Sequence, residues 1–470
     1  MPAGRVVVVG GGISGLAAAW ELTGGAQRRD DAPRLTVLEA GARLGGALRS
    51  DTFGGRPVDM GPDGFLGRRP EAVELCHEVG LGDALVPIGA RGASVWARGR
   101  LRALPDKLAL GIPTEFWPTA RSGVLGLAGQ LGLARDALLP RPDLRGPMGD
   151  RSIGPLVARK LGRRVVDALV DPLIGGIHAG SVDDMSAAAV FPPLLAAAQR
   201  RGGLMRALRA EVPASPEPDD APLFWTLRDG MGSLVASLAA GLHARGVDVR
   251  LSAPVDTLAR VDGGWDVAVG ADVHRADGVV LAVPGDAASR LLQPHDDEAA
   301  GLLEAIDYAA VTIVTFRVAA DDAPTDLYGT GFLVPRRSAH PGREPWSVTA
   351  CTFLDRKWPQ LARHGEVLLR ASLGRIDDTR PAGLDDEEVT NRAWEELGAL
   401  LGVGGWPLES TVVRWPAALP QYRVHHLLRT AGIDAAVARL GNLAVAGAAY
   451  RGVGIPACVA SGRAAAHALL

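Results

Sequence analysis

An α/β fold is predicted by three features of the sequence. These are a β-branched run ending in G-x-G-x-x-G near the amino terminus, a second strand ending in an acid, and a glycine-terminated strand followed by a helix near the carboxyl terminus. In that order they describe a doubly wound nucleotide-binding domain assembled from separated segments. Residues 94–105 read as a hairpin, 153–169 as helical and 211–222 as a surface loop, and strands from Tyr308 to about Arg414 predict an antiparallel sheet. At roughly 150 residues per domain, 470 residues suggest about three structural units.

The first strand is Arg5-Val-Val-Val-Val9, the pattern of a buried parallel strand. It runs into Gly10-Gly11-Gly12-Ile13-Ser14-Gly15 and then the helix-forming Leu16–Leu22. Gly10 permits the tight turn, Gly12 lets a pyrophosphate reach the backbone, and Gly15 lets helix and strand pack closely. Ile13 and Ser14 lie at the positive end of that helix, where N–H groups face an anion. The second strand, Leu35–Leu38, delivers Glu39, which stands 24 positions beyond Gly15. That is near the roughly 20 expected for an acid on ribose hydroxyls.

The segment Glu39-Ala40-Gly41-Ala42-Arg43-Leu44-Gly45-Gly46 resembles the extension that flavin-dependent, amine-oxidase-like proteins carry after the ribose-binding Glu. The resemblance implies a non-covalent FAD in a glutathione-reductase-like domain, with Ala40, Arg43, Gly45 and Gly46 beside the cofactor phosphates. It also implies that Val255, after the strand Val247–Leu251, lines the adenine pocket through its backbone; an ordinary sheet position is the alternative. Leu443–Gly447 reads as a returning strand, and Gly452-Val-Gly454-Ile455-Pro456 opens the last helix. Gly447, Gly454 and Ile455 would then offer N–H groups to the pyrophosphate or flavin ring. Cys458 is expected inside that helix as a packed apolar residue, not as a flavin thioether.

The middle of the chain resembles the oxygen-dependent protoporphyrinogen and coproporphyrinogen oxidases. The residues that carry this are Asp171-Pro-Leu-Ile-Gly175-Gly176-Ile177-His178-Ala179-Gly180, Met185-Ser186, Gly230-Met-Gly232-Ser233 and Gly454-Ile-Pro456. The carboxyl-terminal Gly-x-Gly-Ile-Pro-x-Cys looks closer to the bacterial coproporphyrinogen branch. The resemblance implies a porphyrinogen substrate, O2 as electron acceptor, and hydride transfer from a meso carbon to flavin N5. No strong base is then required, only a positioned ring and excluded water. Gly176 would place a backbone carbonyl over the reacting edge, with a helix C-cap glycine as the alternative. His178 is a catalytic candidate, with a shape or hydrogen-bond role favoured. Arg68 or Arg69 would hold a substrate carboxylate bidentately, Arg68 slightly preferred, and either could instead be a solvated surface arginine. Leu333, Val334 and Phe353 would sandwich the macrocycle, with core packing as the alternative. The implied division assigns 1–68, 223–290 and 431–470 to FAD, 69–210 to the helical insertion, and 291–430 to substrate.

Composition removes other classes. A formal net charge of −3 argues against nucleic acid. Cys76, Cys351 and Cys458 form no C-x-x-C pair, so neither a disulfide framework nor structural zinc is expected. Neither a leader peptide nor a membrane span is expected, since Arg5 runs straight into the first strand and Gly123–Ala134 is too short to cross a bilayer. A cytoplasmic protein is expected, with peripheral membrane contact and product hand-off to a ferrochelatase left open. Amine oxidases share the FAD segments but usually carry a Lys where Thr312 stands, and their carboxyl-terminal aromatic-Met-Glu-Gly signature is replaced here by Gly454-Ile455-Pro456. A non-catalytic flavin- or porphyrin-binding protein is the remaining alternative.

Overall fold

The computed structural model describes residues 4–27, 29, 31–138, 149–200, 202–211, 222–339 and 344–470. The surface loop expected over 211–222 falls, except at its ends, outside the described residues. The chain forms two compact units. Unit 1 comprises Met1–Pro87, Pro222–Asp307 and Leu427–Leu470; unit 2 comprises Ile88–Ala221 and Tyr308–His426.

Unit 1 is built on a five-stranded, all-parallel sheet of β1 (Arg5–Val9), β2 (Arg34–Leu38), β3 (Asp248–Arg250), β4 (Gly278–Leu281) and β5 (Leu443–Val445). The order is β3-β2-β1-β4-β5. Val6 and Val8 pack into a core with Leu16, Ala17 and Trp20, while Val7 and Val9 are buried on the opposite face. Burial of both faces is why β1 reads as unbroken valine instead of alternating with polar residues. Helices α1 (Ile13–Leu22), α2 (Gly232–Ala244) and α3 (Ile455–His467) pack together, α1 between the other two. The α1–α3 crossing depends on Gly462, where a Cβ would lie 2.1 Å from the Ser14 carbonyl oxygen. An antiparallel meander, Thr257–Val261, Gly264–Val269 and Asp272–Ala276, completes the segment before β4.

Unit 2 carries a seven-stranded sheet. Its strands, in order, are Glu409–Pro420, Tyr308–Ala319, Glu366–Leu373, Val348–Phe353, Gly331–Leu333, Ser94–Ala97 and Arg100–Ala103. The hairpin read at 94–105 is present, but it extends this sheet, since Gly331–Leu333 pairs in parallel with Ser94–Val95. Three-residue Gly331–Leu333 would otherwise be an uncovered edge. One face of the sheet is sealed by the helix Asp386–Leu401, which begins with a capping box between Asp385 and Glu388 and buries Val389, Ala393, Leu397 and Leu400. A second core gathers the helices of residues 127–211 with Val95 and Ala97. The helix expected from Ile153 to Leu169 is interrupted at Gly162, whose φ is +92°, and resumes as a π-helix over Val166–Gly175. Pro172 lies inside that turn. It has no N–H to give an α-helical bond, and the wider π winding accommodates it.

No helix among the described residues is long and apolar enough to cross a membrane. No group of three or more His, Cys, Asp or Glu side chains among them is arranged to hold a metal.

Candidate functional site

In unit 1 the predicted nucleotide residues of 10–15 and 39–46 follow the carboxyl ends of β1 and β2. Gly10 has φ +104°, and a Cβ there would lie 2.3 Å from the Ala282 carbonyl oxygen. A Cβ on Gly15 would lie 1.9 Å from the Gly10 carbonyl oxygen. Gly12 is different in kind. It is the N-cap of α1, and a Cβ built on it meets nothing within 4 Å. The glycines on either side are closed by protein, whereas the middle one opens on space at a helix N-terminus, the setting of a pyrophosphate cradle.

Glu39 organises the loops around this opening. Its Oε2 accepts from the Gly11 N–H and its Oε1 from the Gly41 N–H, both at 2.7 Å. Each oxygen keeps a lone pair, so the same carboxylate can tie two loops and accept a ribose hydroxyl. Gly45 donates to the Gly11 carbonyl at 2.8 Å, and Gly46 comes so close that its Cβ would stand 3.3 Å from Gly12 Cα. Ala40 is exposed in the same loop. Arg43, read as a phosphate contact, donates to the carbonyls of Leu44 (3.1 Å), Leu48 (3.2 Å) and Gly46 (2.6 Å), so it shapes the glycine loop itself. Half-buried Val255 follows a segment pinned to this loop, since Ser252 donates to the Gly41 carbonyl and Ala253 to that of Glu39.

At the carboxyl-terminal end, Gly454 is the N-cap of α3 and Ile455 is buried beneath it. Gly447, at φ +138°, donates its N–H to Ser461 Oγ at 3.0 Å, a partner that sequence reasoning did not identify. Cys458 is buried in α3, and desolvation pushes its thiol up to about 11. A thiol held protonated is a poor nucleophile, in keeping with a non-covalent flavin. The glycine cradle, the capped loops and the free carboxylate positions fit FAD.

In unit 2, Gly176 follows the π-helix with φ −64°, and the residue that turns left-handed at the helix end is Ala179, at φ +46°. The C-cap reading of Gly176 is therefore replaced. Gly176 is exposed, and a Cβ there would meet only Leu333 Cδ2, at 3.8 Å. Leu333 leans toward Gly176, whereas Val334 and Phe353 are packed in the core beneath the Asp386–Leu401 helix. Of the three apolar candidates, Leu333 is the one brought beside Gly176.

His178 is buried against Tyr422 at a ring-centroid distance of 5.8 Å, and Tyr422 stacks on His426 at 4.0 Å. Burial, with repulsion from His426, pulls His178 from 6.5 down to about 4. It is neutral at pH 7 and unsuited to proton transfer there. Its backbone carbonyl accepts from Gln421 Nε2 at 2.9 Å, a partner with no signal in the sequence. Because the folded value lies below the unfolded one, the stability linked to His178 is full above pH 6.5 and is lost as pH falls toward 4. The expected loss is about 2 kcal/mol by pH 5. Urea unfolding at pH 7 and pH 5 should show it, with a smaller pH dependence in His178→Phe; an unchanged dependence would remove His178 as its source.

Arg69 is the N-cap residue of the helix Pro70–Glu78 and pairs with Glu71 at 2.7 Å, whereas Arg68 is exposed and unengaged among the described residues.

The sequence profile of flavin-containing amine oxidoreductases matches residues 13–470. Coproporphyrinogen III oxidase of Bacillus subtilis is 30% identical over 467 residues, covering 98% of this chain and 97% of that protein. The enzyme of the same name from Propionibacterium freudenreichii is 34% identical over 496 residues, covering 98% and 89%. A crystal structure assigned as a protoporphyrinogen oxidase, from Exiguobacterium sp. 255-15, superposes with a TM-score of 0.87 at 31% identity, covering 100% of this chain and 99% of that one. The chain belongs to the flavin-containing amine oxidoreductase family and, within it, to the porphyrinogen oxidases.

Proposed function

We propose that the protein oxidises coproporphyrinogen III to coproporphyrin III with FAD and O2, releasing H2O2, as a step of haem biosynthesis. The full-length similarity to coproporphyrinogen III oxidases carries this reading. Protoporphyrinogen IX is the second reading, favoured by the assignment of the Exiguobacterium structure. When bound, FAD would supply the two-electron acceptor chemistry, with N5 as the hydride acceptor and O2 as the oxidant that regenerates it. The chain's residues hold and orient. Gly12, Ile13, Ser14, Glu39, Gly45, Gly46, Val255, Gly447, Gly454 and Ile455 would bind the cofactor in a doubly wound, glutathione-reductase-like arrangement. Ala40 would stand beside it, with Arg43 keeping the loop in shape. Gly176 would present backbone to the ring edge and Leu333 an apolar surface to its face, with His178 supporting shape without exchanging a proton. Val334 and Phe353 would act from behind, by setting the position of Leu333.

Arg68 is assigned to a substrate propionate in preference to Arg69, whose guanidinium already has Glu71. A Lys cannot reproduce the two-pronged contact, so Arg68→Lys should raise KM about tenfold with kcat little changed. An unchanged KM would move the anchor elsewhere. The five segments 1–68, 69–210, 223–290, 291–430 and 431–470 keep the roles given above. A cytoplasmic site and transfer of product to a ferrochelatase complete the reading. Peripheral membrane contact is assigned to unit 2, where Trp117, Leu127 and Leu131 are exposed and Arg121 lies 5.6 Å over the Trp117 ring. Vesicle co-sedimentation checks it.

The deciding experiment is aerobic turnover of coproporphyrinogen III beside protoporphyrinogen IX, following porphyrin fluorescence and peroxide with autoxidation subtracted. Faster coproporphyrin formation is expected. A preference for protoporphyrinogen would change the substrate, and oxidation of neither by FAD-loaded protein would overturn the assignment.

A further inference from the structure

We propose that Asp171, acting through Arg336 and Arg375, is a positioning residue that sets the separation of the Gly176 backbone from Leu333, and with it the width of the slot for the macrocycle. The inference rests on the substrate reading above. Asp171 lies inside the π-helix and is 4% exposed. Its Oδ2 is 3.3 Å from Arg336 Nε and 3.8 Å from Arg375 Nη1. Its Oδ1 accepts from the Val182 N–H at 3.3 Å.

Each guanidinium then reaches a different wall of the slot. Arg336 Nη2 donates to the Gly180 carbonyl at 2.5 Å, closing the turn that contains Gly176, and Arg336 also pairs with Asp377. Arg375 Nη2 donates to the Val334 carbonyl at 2.7 Å, next to Leu333. Beside it, Ile376 donates its N–H to the Ala179 carbonyl at 2.8 Å. One carboxylate thus ties the end of the π-helix to the strand that bears Leu333. Gly175 cannot take a side chain here, because its Cβ would lie 2.7 Å from the Gly180 carbonyl oxygen and 3.0 Å from Asp171 Oδ1. Buried ion pairs contribute little net stability, since desolvation offsets their attraction. Their geometric constraint is the larger effect, and a displacement of about 1 Å at a reacting centre costs on the order of 100-fold in rate.

The test uses FAD-loaded protein. Asp171→Asn and Arg375→Lys should each lower kcat about tenfold or more while KM stays within about threefold and FAD content is unchanged. A double-mutant cycle with Leu333→Ala should be non-additive, because the clamp acts through the position of that residue. Hydrogen exchange supplies a readout independent of turnover, with faster exchange expected at the Gly180 and Ile376 amides of Asp171→Asn. Additive effects on kcat, or unchanged exchange at those amides, would overturn the clamp. If Asp171→Asn does not fold, Arg375→Lys decides by the same two measurements. Accelerated exchange without porphyrinogen turnover in the wild type would leave the clamp standing and reject the substrate reading.

Discussion

Gly12→Ala is expected to stay within about 1 kcal/mol of wild-type stability and to lose FAD, while Gly15→Ala is expected to be destabilised by about 3 kcal/mol. Both replacements add one methyl group within the same turn, so the contrast comes from what that methyl meets. At Gly15 it would lie 1.9 Å from the Gly10 carbonyl oxygen, with Ala282 Cβ at 3.2 Å. The carbonyl belongs to the turn that starts α1, and its displacement would separate the helix from β1. Overpacking of this kind costs about 3 kcal/mol. At Gly12 no protein atom other than its immediate chain neighbours lies within 4 Å, and the change from Gly to Ala at an N-cap costs at most about 1 kcal/mol. The methyl would instead occupy the space of a pyrophosphate oxygen. A fall in FAD affinity on the order of 100-fold corresponds to losing about 2.7 kcal/mol of binding. Apoprotein melting together with flavin content of the purified variants separates the cases. Equal loss of flavin and stability in both variants would mean that the open face of Gly12 is not where the cofactor lies.

The nucleotide half of the protein was legible because its determinants are contiguous. Strand, turn, helix, strand and acid lie within the first 39 residues, and each glycine's role follows from its place in the turn. Arg43 was legible as a phosphate contact but not as a brace of its own loop, where three carbonyls within five residues of it accept from Nη1 and Nη2 and leave the Nε N–H for a phosphate. The apolar wall shows a different limit. Leu333 and Val334 are successive residues of an extended segment, so they point to opposite sides. Alternation alone could therefore have divided them, and the structure places Val334 and Phe353 in one core and Leu333 against the other. The π-helix was partly announced by Pro172. The grip of Asp171 on Arg336 and Arg375 was not, because Asp171 lies 165 positions before Arg336 and farther still before Arg375, in a chain where arginines are abundant. Only the folded arrangement singles out these two.

Gly176→Val is expected to leave the protein folded and loaded with FAD and to reduce porphyrinogen turnover about 100-fold. The backbone of Gly176 is helical, so φ imposes no need for glycine. The nearest atom to an added Cβ is Leu333 Cδ2 at 3.8 Å, ordinary van der Waals contact. Stability should therefore change by less than about 1 kcal/mol, as valine is not a worse helix residue than glycine. The residues assigned to FAD all lie in unit 1 and are untouched. What changes is the exposed surface beside Leu333. The two added methyl carbons beyond Cβ project into the space assigned to the ring edge, so the macrocycle is held away and hydride donation slows even where binding persists. Gly176→Ala, with one methyl, should fall between wild type and Val. This graded loss at constant flavin content is the pattern of steric exclusion from a slot. A scaffold role for Gly176 would instead lower the melting temperature in step with activity. Turnover that is unchanged in Gly176→Val would place the reacting edge elsewhere in unit 2 and would remove this residue from the substrate site.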